Sequence, residues 1–166
     1  MTGTAGTRAP KDPAARRALQ AAQAALSAEH AAVYGYGVVG ARAAQERAAE
    51  AREAYAAHRA RRDAMSRAVR DLGGVPEAAA AGYALPFAVN DADAAVRLAA
   101  ELEARVAAVY ADLVGAAGGA LRGEAAGALK EAAVRAVRWR HGGGVAFPGL
   151  TERNASATPG VSPDRT

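Results

Sequence analysis

The stretch Leu26–Gly40, LSAEHAAVYGYGVVG, sets a carboxylate, a histidine and two tyrosines within a predicted helix. Heptads counted from Leu19 place apolar, small or aromatic residues, and one acid, at the positions that face neighbouring helices. These positions are Leu19, Ala22, Leu26, Glu29, Val33, Tyr36 and Gly40. A carboxylate buried in such a seam needs a cationic partner, a proton or a metal ion. Glu29 therefore predicts a partner on another helix.

The composition predicts an all-α protein. The chain has 166 residues, enough for one domain with its own core. Hydrophobic residues make up 51% of it and aromatic residues only 5%, so alanine supplies most of the apolar surface. Alanine is the strongest helix former, and the β-branched residues that favour strands are few.

Charge and cysteine content exclude several classes of protein. The absence of cysteine excludes disulfides and thiolate metal sites. No apolar signal segment begins the chain, and no uncharged run approaches the roughly 20 residues of a membrane span, so a cytoplasmic protein without membrane contact is predicted. The net charge is +4, but arginine alternates with glutamate along the helices, which does not favour nucleic-acid binding.

Helix-start and helix-stop signals divide the chain into four helices between polar ends. The predicted helices are Pro13–Ala43, Arg47–Leu72, Asp91–Ala117 and Ala120–His141. Residues 1–11 are predicted to be a disordered N-terminal segment, 12–150 the helical domain, and 151–166 a disordered C-terminal tail. The connection Val75–Val89 is too long for a tight turn and is predicted to pack along the outside of the helices.

The glycines of GYGVVG match the dinucleotide-binding pattern G-x-G-x-x-G by letter. That motif follows a strand and opens a helix, whereas here the preceding residues are helical and rich in alanine. The glycines Gly35, Gly37 and Gly40 are therefore interpreted as sites of close helix packing.

Short first and last turns with one long central connection indicate a ferritin-like four-helix bundle with a long crossover between the second and third helices. Di-metal sites in such bundles require two Glu-x-x-His motifs. Tyr55 stands three residues before His58, and Arg138 stands three residues before His141, so both of the required glutamates are missing. The di-metal ligand set is therefore incomplete.

The remaining polar residues of the seams predict a buried network of ion pairs and hydrogen bonds. Its predicted members are Glu29, Tyr55, His58, Arg62, Glu103, Tyr110 and Arg138. The alternative is a degenerate metal site, in which Glu29, His58 and Glu103 bind one iron, manganese or zinc ion with redox activity. No catalytic residue is predicted, because Ser27 and Ser66 lack an evident base and orienting acid.

Five segments resemble an uncharacterised ferritin-like domain family that is widespread in actinobacteria. They are LQAAQAALSAEHAAVYGYGVVGAR, AYAAHRARRDAM, AGYALPFAV, ELEARVAAVYADL and AAVRAVRWR, in that order within residues 16–150. The resemblance implies the ferritin-like fold and no particular reaction. We therefore expect a structural or interaction protein rather than an enzyme, with no cofactor, forming a homo-oligomer such as a dimer through alanine- and glycine-rich helix faces.

Overall fold

The computed structural model describes residues 12–140, which form four α-helices and, within that range, no strand. Helix α1 spans Pro13–Arg42, α2 Ala48–Asp71, α3 Ala92–Ala116 and α4 Gly119–Trp139. None of these helices is both long and apolar enough to cross a membrane. The predicted all-α, four-helix protein is confirmed. The predicted helix end at His141 and the predicted disordered segments 1–11 and 151–166 lie outside the described residues.

The first helix starts where its capping residues predict. The side chain of Asp12 accepts hydrogen bonds from the backbone amides of Ala14 at 3.3 Å and Ala15 at 3.2 Å. Pro13 occupies the first helical position, where its missing N–H costs nothing. The side chain of Asp12 and the ring of Pro13 thus define the beginning of α1.

The ends of the central connection differ by one residue from the prediction at α3. The sequence predicts a helix that begins at Asp91, but Asp91 is the cap, and its carboxylate accepts from the amide of Ala94 at 2.7 Å. Its anionic side chain satisfies a free amide of the first turn and also interacts favourably with the helix dipole. At the other end Gly73 has φ of 80°, the left-handed conformation that ends α2.

Side-chain contacts fix the directions of the helices. Near the middle of α1, Glu29 bonds to Tyr110 of α3, while Tyr36, further along α1, bonds to Glu103, which precedes Tyr110. Helix α3 therefore runs antiparallel to α1. The short links after α1 and α3 make α2 and α4 antiparallel to the helices before them. As a result α2 and α3 share one direction, and α1 and α4 share the other.

Residues 72–91 carry the chain back along the outside of α1. Near one end the side chain of Gln23 donates to the carbonyl of Val75 at 2.6 Å. Further along, the rings of Tyr34 and Tyr83 lie 5.6 Å apart. The connection thus follows α1 over much of its length, which allows α3 to start at the same end of the bundle as α2.

The apolar core consists of two clusters, with a layer of polar side chains between them. The first cluster includes Leu26, Met65, Val69, Val106 and Leu113. The second includes Tyr36, Val39, Ala51, Leu98 and Trp139. Between them lie the three fully buried polar side chains of the described residues: Glu29, His58 and Glu103. We call this the polar layer.

The buried face of α1 drifts away from the predicted heptad positions. Gly40 is exposed and Val33 is half-buried, whereas Ala25, Ala32 and Val39 are buried. An α-helix has about 3.6 residues per turn, so a strict seven-residue count moves off the packed face by about 20° per heptad. Glu29, near the middle of the helix, stays at the centre of the buried face.

Replacing either of two glycines of α1 with alanine is expected to change the stability of the protein, in opposite directions for the two positions. A Cβ atom built on Gly35 would lie 2.6 Å from Cδ1 of Leu102, whereas one on Gly37 would meet nothing within 4 Å. We expect Gly37→Ala to raise the free energy of unfolding by about 0.5–1 kcal/mol through helix propensity. We expect Gly35→Ala to lower it, because overpacking costs about 1–3 kcal/mol. Urea denaturation of both variants measures the difference, and a stabilised Gly35→Ala variant would contradict the close packing.

Candidate functional site

The His58 ring lies between two carboxylates that come from different helices. Its Nδ1 atom is 2.7 Å from Oε2 of Glu29 on α1, and its Nε2 atom is 3.1 Å from Oε1 of Glu103 on α3. All three side chains are completely buried. Since carboxylates only accept hydrogen bonds, the doubly protonated imidazolium is the form that satisfies both contacts.

Two tyrosines extend the polar layer at either end. The hydroxyl of Tyr36 donates to Oε1 of Glu103 at 2.7 Å, and the hydroxyl of Tyr110 donates to Oε1 of Glu29 at 2.8 Å. Both tyrosines are fully buried. The result is a continuous hydrogen-bonded chain that runs from Tyr36 through Glu103, His58 and Glu29 to Tyr110.

Arg135 of α4 completes the charge balance of the polar layer. Its Nε atom donates to Oε1 of Glu103 at 2.7 Å, and its side chain is only 13% exposed. Two carboxylates, the imidazolium and this guanidinium sum to zero net charge. Arg135 also lines a surface groove of about 380 Å³ between α2 and α4. Across that groove Arg61 forms an ion pair with Glu131, which links the same two helices.

The ionisation states follow from these contacts. Burial alone would lower the pKa of His58, but its hydrogen bonds to Glu103 and Glu29 outweigh that effect and raise it. Burial would likewise raise the pKa of Glu103, but His58 and Arg135 lower it below its ordinary value. Burial raises the pKa of Tyr36 and of Tyr110, and the adjacent carboxylates raise it further, so both stay protonated. These shifts favour the charged forms of His58 and Glu103 and the neutral forms of both tyrosines.

Stability is expected to depend on pH in a window that these shifts define. The raised pKa of His58 contributes stability that is fully present below its ordinary value of 6.5 and is lost as the pH rises through the folded value. The lowered pKa of Glu103 contributes stability present above its ordinary value of 4.5 and lost as the pH falls through the folded value. The urea midpoint should therefore be highest between pH 4.5 and 6.5.

The matched control for this profile is His58→Gln, which retains hydrogen-bonding groups but cannot become charged. Urea unfolding, followed by circular dichroism across the pH range, should show an alkaline decline in the unmodified protein. The variant should lack that decline. Equal alkaline slopes in the two proteins would show that His58 is not charged in the folded state.

The structure brings four of the seven predicted network residues together, namely Glu29, His58, Glu103 and Tyr110. The other three lie elsewhere. Tyr55 is half-buried, under the guanidinium of Arg59. Arg62 bonds to its neighbour Asp63.

The third of these residues is Arg138, whose side chain is exposed and whose backbone carbonyl accepts from Arg47 at 3.3 Å. The cation beside Glu103 is instead Arg135, three residues earlier on α4. The spacing of apolar residues in α4 contains a signal for this position. Ala132, Arg135 and Trp139 follow the 3-4 spacing of a buried face, so Arg135 lies between two core residues.

The chain has two other histidines, His30 and His141. Nε2 of His30 lies 3.1 Å from the backbone carbonyl oxygen of Glu77, so His30 stands at the edge of the bundle against the long connection. Consecutive residues of a helix are about 100° apart around its axis, which places His30 on a different face from the adjacent Glu29. His141 lies outside the described residues.

The arrangement of the polar layer is a poor fit to a metal ion. The His58 ring separates the carboxylates of Glu29 and Glu103, and both of its nitrogens face them. Within residues 12–140, no three His, Asp or Glu side chains are grouped so that they could hold a metal ion. The cation Arg135 lies directly on Glu103, which would repel a metal there. We therefore derive no chemistry through a metal.

Comparison with known proteins gives a family and a structural relative. The family described as a domain of unknown function (DUF4439) matches residues 21–152. A crystal structure of a conserved hypothetical protein from Mycobacterium tuberculosis, rv2844, is similar, with 36% sequence identity and a TM-score of 0.74. The alignment covers 79% of this chain and 98% of that chain. No curated protein matches. The coarser part of the predicted resemblance, a family of unknown function and a relative in an actinobacterium, is thereby confirmed.

Proposed function

The chain belongs to the DUF4439 family, and we propose that it is a ferritin-like helical bundle that acts as a structural or interaction protein rather than as an enzyme. The proposal rests on one observation, the neutral polar layer. Its two carboxylates are already compensated by His58 and Arg135. A di-metal bundle needs an excess of anionic ligands to offset the charge of its ions. Here the side chains of the protein supply the cations.

The directions of the helices support the ferritin-like part of the proposal. Ferritin-like bundles have one long crossover, which joins two helices that run in the same direction. In this chain residues 72–91 join α2 to α3, and these two helices run in the same direction. The polar layer also lies in the middle of the bundle, which is where such folds build their metal sites.

The second candidate is the degenerate metalloprotein that binds one iron, manganese or zinc ion through Glu29, His58 and Glu103. One observation favours it. Oε2 of Glu103 is buried and has no hydrogen-bond partner among the described residues. A buried carboxylate oxygen without a partner is rare, and a water molecule or an ion often satisfies such an atom. Binding would require the His58 ring to turn away from at least one carboxylate.

Elemental analysis decides between the two candidates. The protein is purified without a histidine tag or added metal, and again after incubation with Fe(II), Mn(II) and Zn(II). We expect no stoichiometric metal, and we expect a chelator to leave the melting temperature unchanged, because only a bound ion stabilises by mass action. Glu29→Ala and His58→Ala are the matched variants. Stoichiometric metal in the parent protein that both variants lose would overturn the scaffold proposal.

Self-association is part of the proposal. A groove of about 300 Å³ between α1 and α2 is lined by four small residues, together with two tyrosines and an arginine: Gly37, Gly40, Ala48, Ala51, Tyr36, Tyr55 and Arg52. Small side chains let a neighbouring helix approach closely, which supports a homo-oligomer such as a dimer. Sedimentation velocity tests this directly. A single species of monomer mass across a wide range of protein concentrations would reject it.

A further inference from the structure

Tyr36 differs from the other buried tyrosine in its aromatic neighbours. Its ring lies 6.3 Å from the ring of Trp139, at an interplanar angle of 52°, and stacks on His58 at 5.1 Å. Tyr36 is 1% exposed and Trp139 is fully buried. Contact between two aromatic rings allows an electron to pass from one to the other. The chain thus places its single tryptophan beside a buried tyrosine.

Oxidising a phenol by one electron requires that its proton leaves, because the phenol radical cation is a very strong acid. Tyr36 already donates its hydroxyl hydrogen to Oε1 of Glu103 at 2.7 Å. The other oxygen of that carboxylate, Oε2, is buried and has no hydrogen-bond partner among the described residues. When Tyr36 is oxidised, its phenolic proton moves along this hydrogen bond to Oε1 of Glu103, which becomes a neutral carboxylic acid.

A cation beside Trp139 determines which of the two residues, Trp139 or Tyr36, keeps the radical. The guanidinium carbon of Arg47 lies 4.1 Å from the centre of the indole ring. A cation over the ring face stabilises the neutral indole and disfavours its positively charged radical. The tyrosyl radical, by contrast, is neutral once its proton has moved. The electron is therefore expected to pass from Tyr36 to oxidised Trp139, and not in the reverse direction.

We propose that Trp139 and Tyr36 form a redox-active pair, which accepts oxidising equivalents from a diffusible radical oxidant and stores them as a buried tyrosyl radical. In the first step Trp139 gives one electron to the oxidant. In the second step Tyr36 gives one electron to the indole radical cation, its O–H bond breaks, and the proton forms a new O–H bond on Glu103. The net change is one electron lost from the protein to the oxidant and one proton moved from Tyr36 to Glu103.

Tyr110 is a control that the fold itself provides. It is as buried as Tyr36 and donates to a carboxylate at almost the same distance, 2.8 Å to Glu29. The two tyrosines differ in their contact with Trp139. Within residues 12–140 the ring of Trp139 contacts Tyr36 and Arg47, and not Tyr110. Oxidation that needed only burial and a carboxylate would thus occur at both tyrosines.

The test uses a photogenerated ruthenium(III) trisbipyridine oxidant and follows radicals by transient absorption and by electron paramagnetic resonance. The three outer tyrosines, Tyr34, Tyr55 and Tyr83, are first replaced by phenylalanine so that only the buried pair can contribute. We expect an indole radical that converts to a tyrosyl radical. The tyrosyl signal should be lost in Tyr36→Phe and retained in Tyr110→Phe.

A solvent isotope effect gives a readout that requires no core substitution. Conversion of the indole radical to the tyrosyl radical should slow in D₂O, because the phenolic proton moves in that step. An indole radical that decays without forming a tyrosyl radical would overturn the proposal. So would a tyrosyl signal that survives Tyr36→Phe or is lost only in Tyr110→Phe.

Discussion

Glu103→Ala is expected to destabilise the folded protein by about 3–5 kcal/mol, the usual cost of removing one partner from a buried ion pair. The carboxylate receives hydrogen bonds from Tyr36, His58 and Arg135 on three different helices. Its removal leaves two buried cations facing a single remaining anion, Glu29. Urea unfolding near pH 6, where His58 is charged, measures the loss of free energy.

The matched control lies two residues earlier on the same helix. Glu101 is 40% exposed and pairs with Arg105, which is 59% exposed, at a distance of 2.8 Å. Exposed pairs of this kind contribute about 0.2–1 kcal/mol because water and salt screen them. Glu101→Ala should therefore have a small effect. A similarly small effect of Glu103→Ala would mean that the buried contacts do not hold the fold together.

Replacing the whole polar layer with apolar groups should cost far less than removing one member of it. The variant carries Glu29→Met, Tyr36→Phe, His58→Leu, Glu103→Met, Tyr110→Phe and Arg135→Met. Each ion is then removed together with its partners, so no charge remains buried alone. Exchanges of this kind are often neutral, or stabilising by about 1–4 kcal/mol. The sixfold variant should therefore be more stable than Glu103→Ala by several kcal/mol.

Chemical denaturation of both variants under the same conditions tests this non-additivity. The slope of the free energy against denaturant must also be compared, because a changed slope would indicate a loosened core rather than a change in stability. A sixfold variant that is less stable than the single variant would contradict the expectation. The polar layer would then contribute through packing that Met, Leu and Phe cannot reproduce.

Periodicity in the sequence predicted the centre of the polar layer but not its full membership. Glu29 and His58 stand at core spacing in their helices, so their burial follows from pattern alone. The sequence predicts Arg62 and Arg138 as partners of the buried carboxylates, because both are cations at a similar depth in the predicted bundle. The structure instead places Arg61 and Arg135 towards the interior, each one to three residues away from the prediction.

This error has a physical cause. One residue along a helix turns a side chain by about 100°, so rotation about the helix axis decides which arginine points inward. That rotation depends on how α2 and α4 pack against α1 and α3, which pairwise spacing within one helix does not contain. The role of Tyr36 follows the same rule. Its burial was predicted from the seam, but its bond to Glu103 depends on the neighbouring helix.

The polar layer also selects one axial alignment of the helices. Alanine faces are smooth, and two such helices can slide along each other with little change in buried apolar area. A shift of one turn, about 5.4 Å, would carry His58 out of hydrogen-bond reach of both carboxylates and leave buried charges unpaired. Buried polar groups are known to set alignment in this way in coiled coils. The hydrogen bonds of His58 to Glu29 and Glu103 thus fix one axial alignment of the helices, whereas the apolar surfaces alone would allow several alignments.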